Sequence, residues 1–197
     1  MIKEYLANYF LHTSDVTFHM DRNHMEIHKQ HAEPWKVTLV DTGENTLAGG
    51  RLGQVRDYLD ITFCFTYGDG VADVNVNALV AHHRAQGKQA TLTAVQPPSR
   101  YGAIGLDGYQ VEQFQEKPDG DGGWINGGYF VLEPVVLDLL DGDNCTWEGK
   151  PLKSLASSCQ LNAYFHKGFW QPMDTLLDRQ KLEEIWAAGS APWKLRN

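Results

Sequence analysis

The spacing of apolar residues in the middle of the chain predicts a strand, a helix and a second strand. Residues 61–67 form an apolar, β-prone run that is typical of a buried strand. Residues 76–86 have the amphipathic period of a helix, and Gly87 supplies a natural stop. Residues 90–95 again have the pattern of a buried strand. Such a strand–helix–strand order indicates a βαβ unit, which predicts parallel pairing between the two strands.

Further along the chain the pattern alternates between short strands, glycine turns and short helices. The last helix is expected to be capped at its start by Thr175 or Asp174. Strands and glycine turns are predicted over residues 105–108, 109–115 and 124–132, and a strand over residues 161–165. The predicted helices span residues 135–140, 152–158 and 175–188.

The first part of the chain is predicted to form a small β segment. Residues 15–18 and 25–28 indicate a hairpin around the turn residues 21–23, and residues 36–40 alternate as a strand does. A short helix is expected near Leu52, Val55 and Leu59. The length of 197 residues fits one α/β domain over residues 1–197, in which residues of about 15–45 form an inserted β segment and a possible subunit contact.

Composition and charge exclude several classes of partner. The formal net charge is −8, whereas nucleic-acid binding needs a basic surface, so no nucleic-acid partner is expected. No apolar run approaches the roughly 20 residues that span a bilayer, and the first residues lack the apolar core of a signal peptide. The three widely spaced cysteines are expected to be reduced thiols in the cytoplasm, and Cys64 is expected to be buried core.

Two aspartates on distant segments are the strongest candidates for chemistry. Asp69 lies between Gly68 and Gly70, directly after the predicted strand of residues 61–67, at the end where open α/β sheets place ligands. Asp174 precedes the last predicted helix and follows an unusually dense group of large side chains. Two such carboxylates can share a divalent cation. Alone, the first is equally consistent with a plain Asp-Gly turn and the second with a helix cap, while Asp73 is expected to cap a helix or support a ligand.

Two further motifs are ambiguous when each is taken alone. Glu116 and Lys117 follow a strand, and Pro118 holds the lysine extended, as would suit a phosphate, although a surface charge pair is the simpler interpretation. Asn126-Gly127-Gly128 fits a hairpin turn and fits equally well the interior of a strand that a ligand approaches closely.

The histidines do not predict a metal centre. His24, His28 and His31 have a spacing that resembles a metal motif, but they fall on a predicted strand and loop and not on a helix, where spacings of three and four would place them on one face. His82 and His83 are expected on the solvent side of their helix.

Taken together, several motifs resemble the glucose-1-phosphate cytidylyltransferase family of bacterial sugar-phosphate nucleotidyltransferases. They are residues 66–73, 114–118, 125–132 and 169–175, with residues 34–43 and 191–194 similar to the CTP-using branch. The similarity runs over essentially the whole chain. It implies a Rossmann-like nucleotidyltransferase fold with a mixed, mainly parallel sheet and an inserted small β segment.

The resemblance also implies a reaction and a site. Cytidylyl transfer from CTP to α-D-glucose 1-phosphate would give CDP-glucose and pyrophosphate for dideoxysugar and O-antigen synthesis, in a cytoplasmic homo-oligomer. By resemblance, Asp69 and Asp174 hold Mg²⁺, and Lys117 joins them as a catalytic residue. The substrate-binding residues implied are Gly68, Tyr101, Gly102, Glu116, Lys117, Asn126, Gly127, Gly128 and Trp170.

One departure from the family pattern leads to a further expectation. The glycine-rich, phosphate-cradling segment that opens the family has no counterpart in these 197 residues, which predicts an N-terminally truncated form with weak or no activity. The alternatives are a non-catalytic remnant that binds sugar phosphate or mediates oligomerisation, and a related nucleotidyltransferase that uses UTP or dTTP.

Overall fold

The computed structural model describes residues 2–29, 34–97, 103–107, 109–115 and 123–194. The chain divides into two compact units, Met1–Gly43 and Glu44–Asn197. The expectation of one domain with an inserted β segment stays a prediction. None of the described helices combines the length and the apolar character needed to cross a membrane.

The first unit contains two short helices, α1 (Ile2–Ala7) and α2 (Tyr9–Thr13), and one hairpin. Strands β1 (Val16–His19) and β2 (His24–Ile27) pair antiparallel, which confirms the predicted hairpin. The strand predicted at residues 36–40 is wrong, because these residues form no ladder with any described strand. Alternation alone does not make a strand; a hydrogen-bonded neighbour is also needed.

The second unit contains the main sheet and the helices that cover it. Its elements in chain order are α3 (Ala48–Gln54), a 3-10 helix (Arg56–Tyr58), β3 (Phe63–Thr66), β4 (Gly70–Ala72), α4 (Val76–Gln86), β5 (Ala90–Val95), β6 (Ala103–Asp107), β7 (Gln110–Gln115), β8 (Ile125–Leu132), a second 3-10 helix (Pro134–Leu139), α5 (Lys150–Ser157), β9 (Leu161–Phe165), β10 (Trp170–Pro172) and α6 (Leu176–Ala187).

The main sheet is mixed and has four strands in the order β3-β8-β5-β9. Strand β8 is antiparallel to both β3 and β5, while β5 and β9 are parallel, so three of the four strands point the same way. This confirms the predicted mixed α/β architecture. Direct pairing of β3 with β5 is wrong, because β8 lies between them. The last three residues of β8 are almost completely buried, as expected of a strand with neighbours on both sides.

Two small ladders stand beside the main sheet. Strands β4 and β10 pair antiparallel, and so do β6 and β7. The first of these ladders lies beside both candidate aspartates, because β4 begins directly after Asp69 and β10 ends two residues before Asp174.

The core of the second unit lies under α3, α5 and the second 3-10 helix. Aromatic rings form its centre: Phe65, Phe130 and Trp147 contact one another with ring centroids 5.6–5.9 Å apart. The buried cluster consists of Leu52, Ala90, Phe130, Leu132, Val136, Leu137, Trp147 and Leu155.

The ends of the helices mostly follow the predictions. Helix α4 ends at Gly87, whose φ of 60° confirms the predicted stop. Helix α6 is capped by Thr175, one of the two predicted caps. A cap at Asp73 is wrong: the side chain of Asn75 accepts a hydrogen bond from the Ala78 amide and caps α4.

Two predictions of exposure are also wrong. His83 is only 1% exposed, since its face of α4 covers the sheet; its Nδ1 lies 2.9 Å from Thr91 Oγ1 and its Nε2 lies 3.0 Å from Glu133 Oε1. Cys64 is exposed, because the side chains of the edge strand β3 alternate and Phe63 and Phe65 face inward.

Helix α3 offers a test of this packing at Gly50. A Cβ added there would lie 2.6 Å from the carbonyl oxygen and 2.7 Å from the Cα of Asp143, so the Asp143 backbone would have to move. We expect Gly50→Ala to lower the free energy of unfolding by about 1–3 kcal/mol, measured by urea denaturation.

Gly53 in the same helix is the matched control. A Cβ there would lie 3.7 Å from Leu140 Cδ1, an ordinary contact. Because alanine is favoured over glycine inside helices by about 0.5–1 kcal/mol, Gly53→Ala should be neutral or stabilising. Equal effects of the two substitutions would contradict the packing described for α3.

Candidate functional site

A cavity of about 220 Å³ lies where β4, β10 and the start of β8 meet. Three distant segments of the chain contribute to it. Its lining residues are Tyr67, Asp69, Gly70, Asn126, Gly127, Gly128, Trp170, Pro172 and Asp174. The structure therefore brings both candidate aspartates, the Asn-Gly-Gly motif and Trp170 together around one space.

The two aspartates lie next to the same end of the β4–β10 ladder. Gly70 pairs with Pro172 in the ladder, and the Met173 amide donates a 2.7 Å hydrogen bond to the Asp69 carbonyl oxygen. Asp69 precedes the first residue of β4, and Asp174 follows shortly after the last residue of β10. The backbone thus holds two carboxylate-bearing residues at one rim of the cavity.

The Asn126-Gly127-Gly128 motif lies inside β8, so of the two open interpretations the strand is confirmed and the turn is wrong. A Cβ on Gly127 would lie 2.7 Å from Val95 Cγ1, and one on Gly128, whose φ is +79°, would lie 2.9 Å from Tyr67 Cδ2. Both glycines are therefore required by the close approach of neighbouring side chains. The Asn126 side chain accepts a 2.9 Å hydrogen bond from the Gly128 amide.

Two side chains attach the β4–β10 ladder to β8. The Trp170 indole donates to the Gly127 carbonyl oxygen at 2.8 Å, and the Tyr129 hydroxyl donates to the Gly70 carbonyl oxygen at 2.8 Å. Burial raises the pKa of Tyr129. The hydroxyl therefore stays protonated and able to donate over the ordinary pH range.

Tyr67 lines the cavity and was not among the predicted site residues. Its hydroxyl donates a hydrogen bond to the Glu148 carboxylate. Burial raises the pKa of Tyr67 above its usual range, and the negative charge of Glu148 acts in the same direction. The only signal in the sequence was its position two residues before Asp69, which does not reveal where the ring points.

A third contact holds the far end of β4. His166 Nε2 lies 3.0 Å from Asp73 Oδ1 and 3.1 Å from the Phe169 carbonyl oxygen, which also accepts a 3.2 Å hydrogen bond from the Asp73 amide. Asp73 therefore supports the ladder and does not line the cavity. Its predicted role in supporting a ligand stays a prediction.

The donor set of the cavity fits a small oxygen-binding cation. Within the described ranges, no group of three or more His, Cys, Asp or Glu side chains could hold a metal ion by itself. Asp69 and Asp174 both line the cavity. One or two carboxylates completed by water and substrate phosphate are the usual environment of Mg²⁺, so the residues present suit that ion.

The remaining predicted site residues are Gly68 and four residues that the structure does not describe. Gly68 is next to Asp69 but does not line the cavity, and a Cβ added to it would meet no atom within 4 Å. Packing thus does not require glycine at this position. Tyr101, Gly102, Glu116 and Lys117 lie outside the described residues.

Comparison with known proteins shows the family of the chain. Residues 10–171 match the model of the Nucleotidyl transferase family. The chain is 58% identical, over 98% of its length and 76% of its relative's, to glucose-1-phosphate cytidylyltransferase of Salmonella typhi. It is 38% identical, over the same shares, to the Bacillus subtilis protein named "Probable glucose-1-phosphate cytidylyltransferase".

The fold has solved counterparts at low sequence identity. A UDP-glucose pyrophosphorylase crystallised with UDP-glucose superposes with a TM-score of 0.56 at 13% identity, over 76% of this chain and 65% of that one. This likeness confirms the predicted nucleotidyltransferase fold. The resemblance carried by the sequence motifs is confirmed as well, and the chain belongs to the glucose-1-phosphate cytidylyltransferases of the nucleotidyl transferase family.

Proposed function

We propose that this chain provides the sugar-phosphate and metal site of an enzyme that transfers a cytidylyl group from CTP to α-D-glucose 1-phosphate. The observation that carries the proposal is the cavity in which Asp69 and Asp174 meet the Asn-Gly-Gly strand. Its support is the 58% identity, over 98% of the chain, to a protein named for this activity.

The reaction needs positioning and charge neutralisation more than acid–base chemistry. A phosphate oxygen of glucose 1-phosphate attacks the α-phosphorus of CTP. The bond from that phosphorus to the bridging oxygen breaks, and pyrophosphate leaves with the electron pair. Because the attacking phosphate is already a nucleophile, no side chain has to deprotonate it.

The cavity residues would divide this work between metal and sugar. The carboxylates of Asp69 and Asp174 would hold Mg²⁺, which when bound supplies positive charge to the reacting phosphates. Asn126 and the glycines of β8 would border the sugar, with the Trp170 ring beside them. Glu116 would accept hydrogen bonds from sugar hydroxyls, and Lys117 would pair with the sugar phosphate.

The cellular context follows from the same proposal. CDP-glucose would be used for dideoxysugar and O-antigen synthesis, in a homo-oligomer in the cytoplasm. The net charge of −8 means that anionic substrates have to be attracted by local cations, such as Lys117 and the metal ion, and not by the surface as a whole.

Removal of either carboxylate tests the metal site. Binding of CDP-glucose, measured by isothermal titration calorimetry in MgCl₂ and in EDTA, should be tighter in MgCl₂. Loss of even an outer partner of a metal site typically costs about 10- to 100-fold in affinity. Asp69→Asn and Asp174→Asn should therefore each weaken the magnesium-dependent binding by at least about tenfold.

The control for this experiment is Asp141→Asn. Asp141 is exposed and lies outside the cavity, so this variant should bind as the unchanged chain does. Binding that is the same in MgCl₂ and EDTA, or equal losses in all three variants, would count against the proposed metal site.

Competition tests the choice of base. CDP-glucose should displace a bound fluorescent CDP-sugar at lower concentration than UDP-glucose or dTDP-glucose does. Preference for UDP-glucose or dTDP-glucose would instead favour the related nucleotidyltransferases.

Weak or absent turnover by these 197 residues remains a prediction. It is checked by measuring product formation from CTP and glucose 1-phosphate in the presence of Mg²⁺. Clear formation of CDP-glucose and pyrophosphate would refute it.

A further inference from the structure

Two buried polar residues next to the cavity have no role in the proposed chemistry. Gln171 lies in β10 and is 3% exposed, and Asp178 lies in the first turn of α6 and is 9% exposed. The Gln171 side-chain amide donates a 3.0 Å hydrogen bond to Asp178 Oδ1. Neither residue lines the cavity.

The second oxygen of the Asp178 carboxylate is held as well. Oδ2 accepts a 3.1 Å hydrogen bond from the Thr175 amide and a 2.8 Å hydrogen bond from the Thr175 hydroxyl. Lys181 donates to Gln171 Oε1 at 2.9 Å. The side chains of Gln171, Asp178 and Thr175 therefore link β10 to the start of α6 through a continuous set of hydrogen bonds.

Asp174 lies within the segment that these hydrogen bonds enclose. On its N-terminal side, the Met173 amide is bound to the Asp69 carbonyl oxygen. On its C-terminal side, Thr175 is bound through both its amide and its hydroxyl to Asp178. The backbone of Asp174 is thus held from both sides, against Asp69 on one and against a buried carboxylate on the other.

A helix cap alone does not need this arrangement. Thr175 and Asp178 already form a complete capping box, which works well at an exposed helix start. A buried carboxylate is costly unless its hydrogen bonds are satisfied, and Gln171 donates a hydrogen bond to the carboxylate oxygen that takes no part in the capping box. The additional hydrogen bond connects the cap to the strand that leads into Asp174.

We propose that Gln171 and Asp178 are positioning residues, which hold Asp174 at the distance from Asp69 that a shared divalent cation requires. The inference rests on the proposed function, because it assigns the purpose of the arrangement to the metal site. It predicts that disturbing the Gln171–Asp178 hydrogen bond weakens metal-dependent binding without a matching loss of metal-independent binding.

Exchange of the two side-chain types tests the proposal. Gln171→Glu places a second carboxylate against Asp178, and Asp178→Asn places an amide donor against the Gln171 amide. Each single variant should weaken CDP-glucose binding in MnCl₂ by about 10- to 100-fold, as expected for a residue that orients a metal ligand, while binding in EDTA stays unchanged.

The double variant should recover most of the lost affinity. With Gln171→Glu and Asp178→Asn combined, the amide introduced in α6 can donate to the carboxylate introduced in β10. The carbonyl oxygen of that same amide can still accept from Thr175. Free Mn²⁺, followed by its electron paramagnetic resonance signal, gives an independent measure of metal binding. Failure of the double variant to recover would overturn the proposal.

Two further variants separate positioning from stability. Lys181→Met removes the hydrogen bond to Gln171 Oε1 but leaves the contact with Asp178, so manganese-dependent binding should not change. Gln171→Met removes the donor without adding charge; it serves in place of Gln171→Glu if that variant does not fold. All variants are compared by thermal unfolding.

The outcomes are distinct. Single variants that melt earlier yet keep the wild-type ratio of affinities in MnCl₂ and EDTA would show that the hydrogen bond only caps the helix, and the proposal would be overturned. Equal losses in both conditions would overturn it too. If the unchanged chain itself shows no manganese-dependent binding, the proposed function fails, and the inference fails with it.

Discussion

The backbone pairing of β4 with β10 is the constraint on which the candidate site depends. It joins segments that are far apart in the sequence, and the Met173–Asp69 hydrogen bond extends it to Asp69 and to the residue before Asp174. A two-stranded ladder of this length is marginally stable by itself in water. It has to be attached to the main sheet, and the structure supplies three attachments: Trp170 to Gly127, Tyr129 to Gly70, and His166 to Asp73.

These attachments explain why β8 has the sequence that it has. Its first half must accept a hydrogen bond from Trp170 and pass close to Val95 and Tyr67, which leaves no room for a Cβ at Gly127 or Gly128. Its second half is apolar and fills the core through Phe130 and Leu132. The cavity is therefore bounded by the part of the strand that cannot carry side chains, so space for a ligand results from the packing of the chain itself.

Much of this could be predicted from local pattern. Helix α4, its stop at Gly87, the hairpin of β1 and β2, and the candidate aspartates all follow from residue spacing or from motifs. Periodicity does not, however, say which element lies beside a strand or over a helix face. That is why the pattern does not predict β8 between β3 and β5, and why it predicts the wrong exposure for His83 and Cys64.

The polar residues that support the site leave a weaker signal in the sequence than those that line it, for a physical reason. Asp69 stands in a short glycine motif, whereas Gln171 and Asp178 are residue types that usually lie on the surface. Gln171 lies in β10, which pairs with the distant β4, and its side chain contacts Asp178 and Lys181 of α6. Because Gln171 is buried there, its side-chain amide needs a hydrogen-bond partner. A motif can thus identify the residues that face a ligand, but the residues that orient them emerge from topology. In this fold both kinds meet within the corner from β10 to α6.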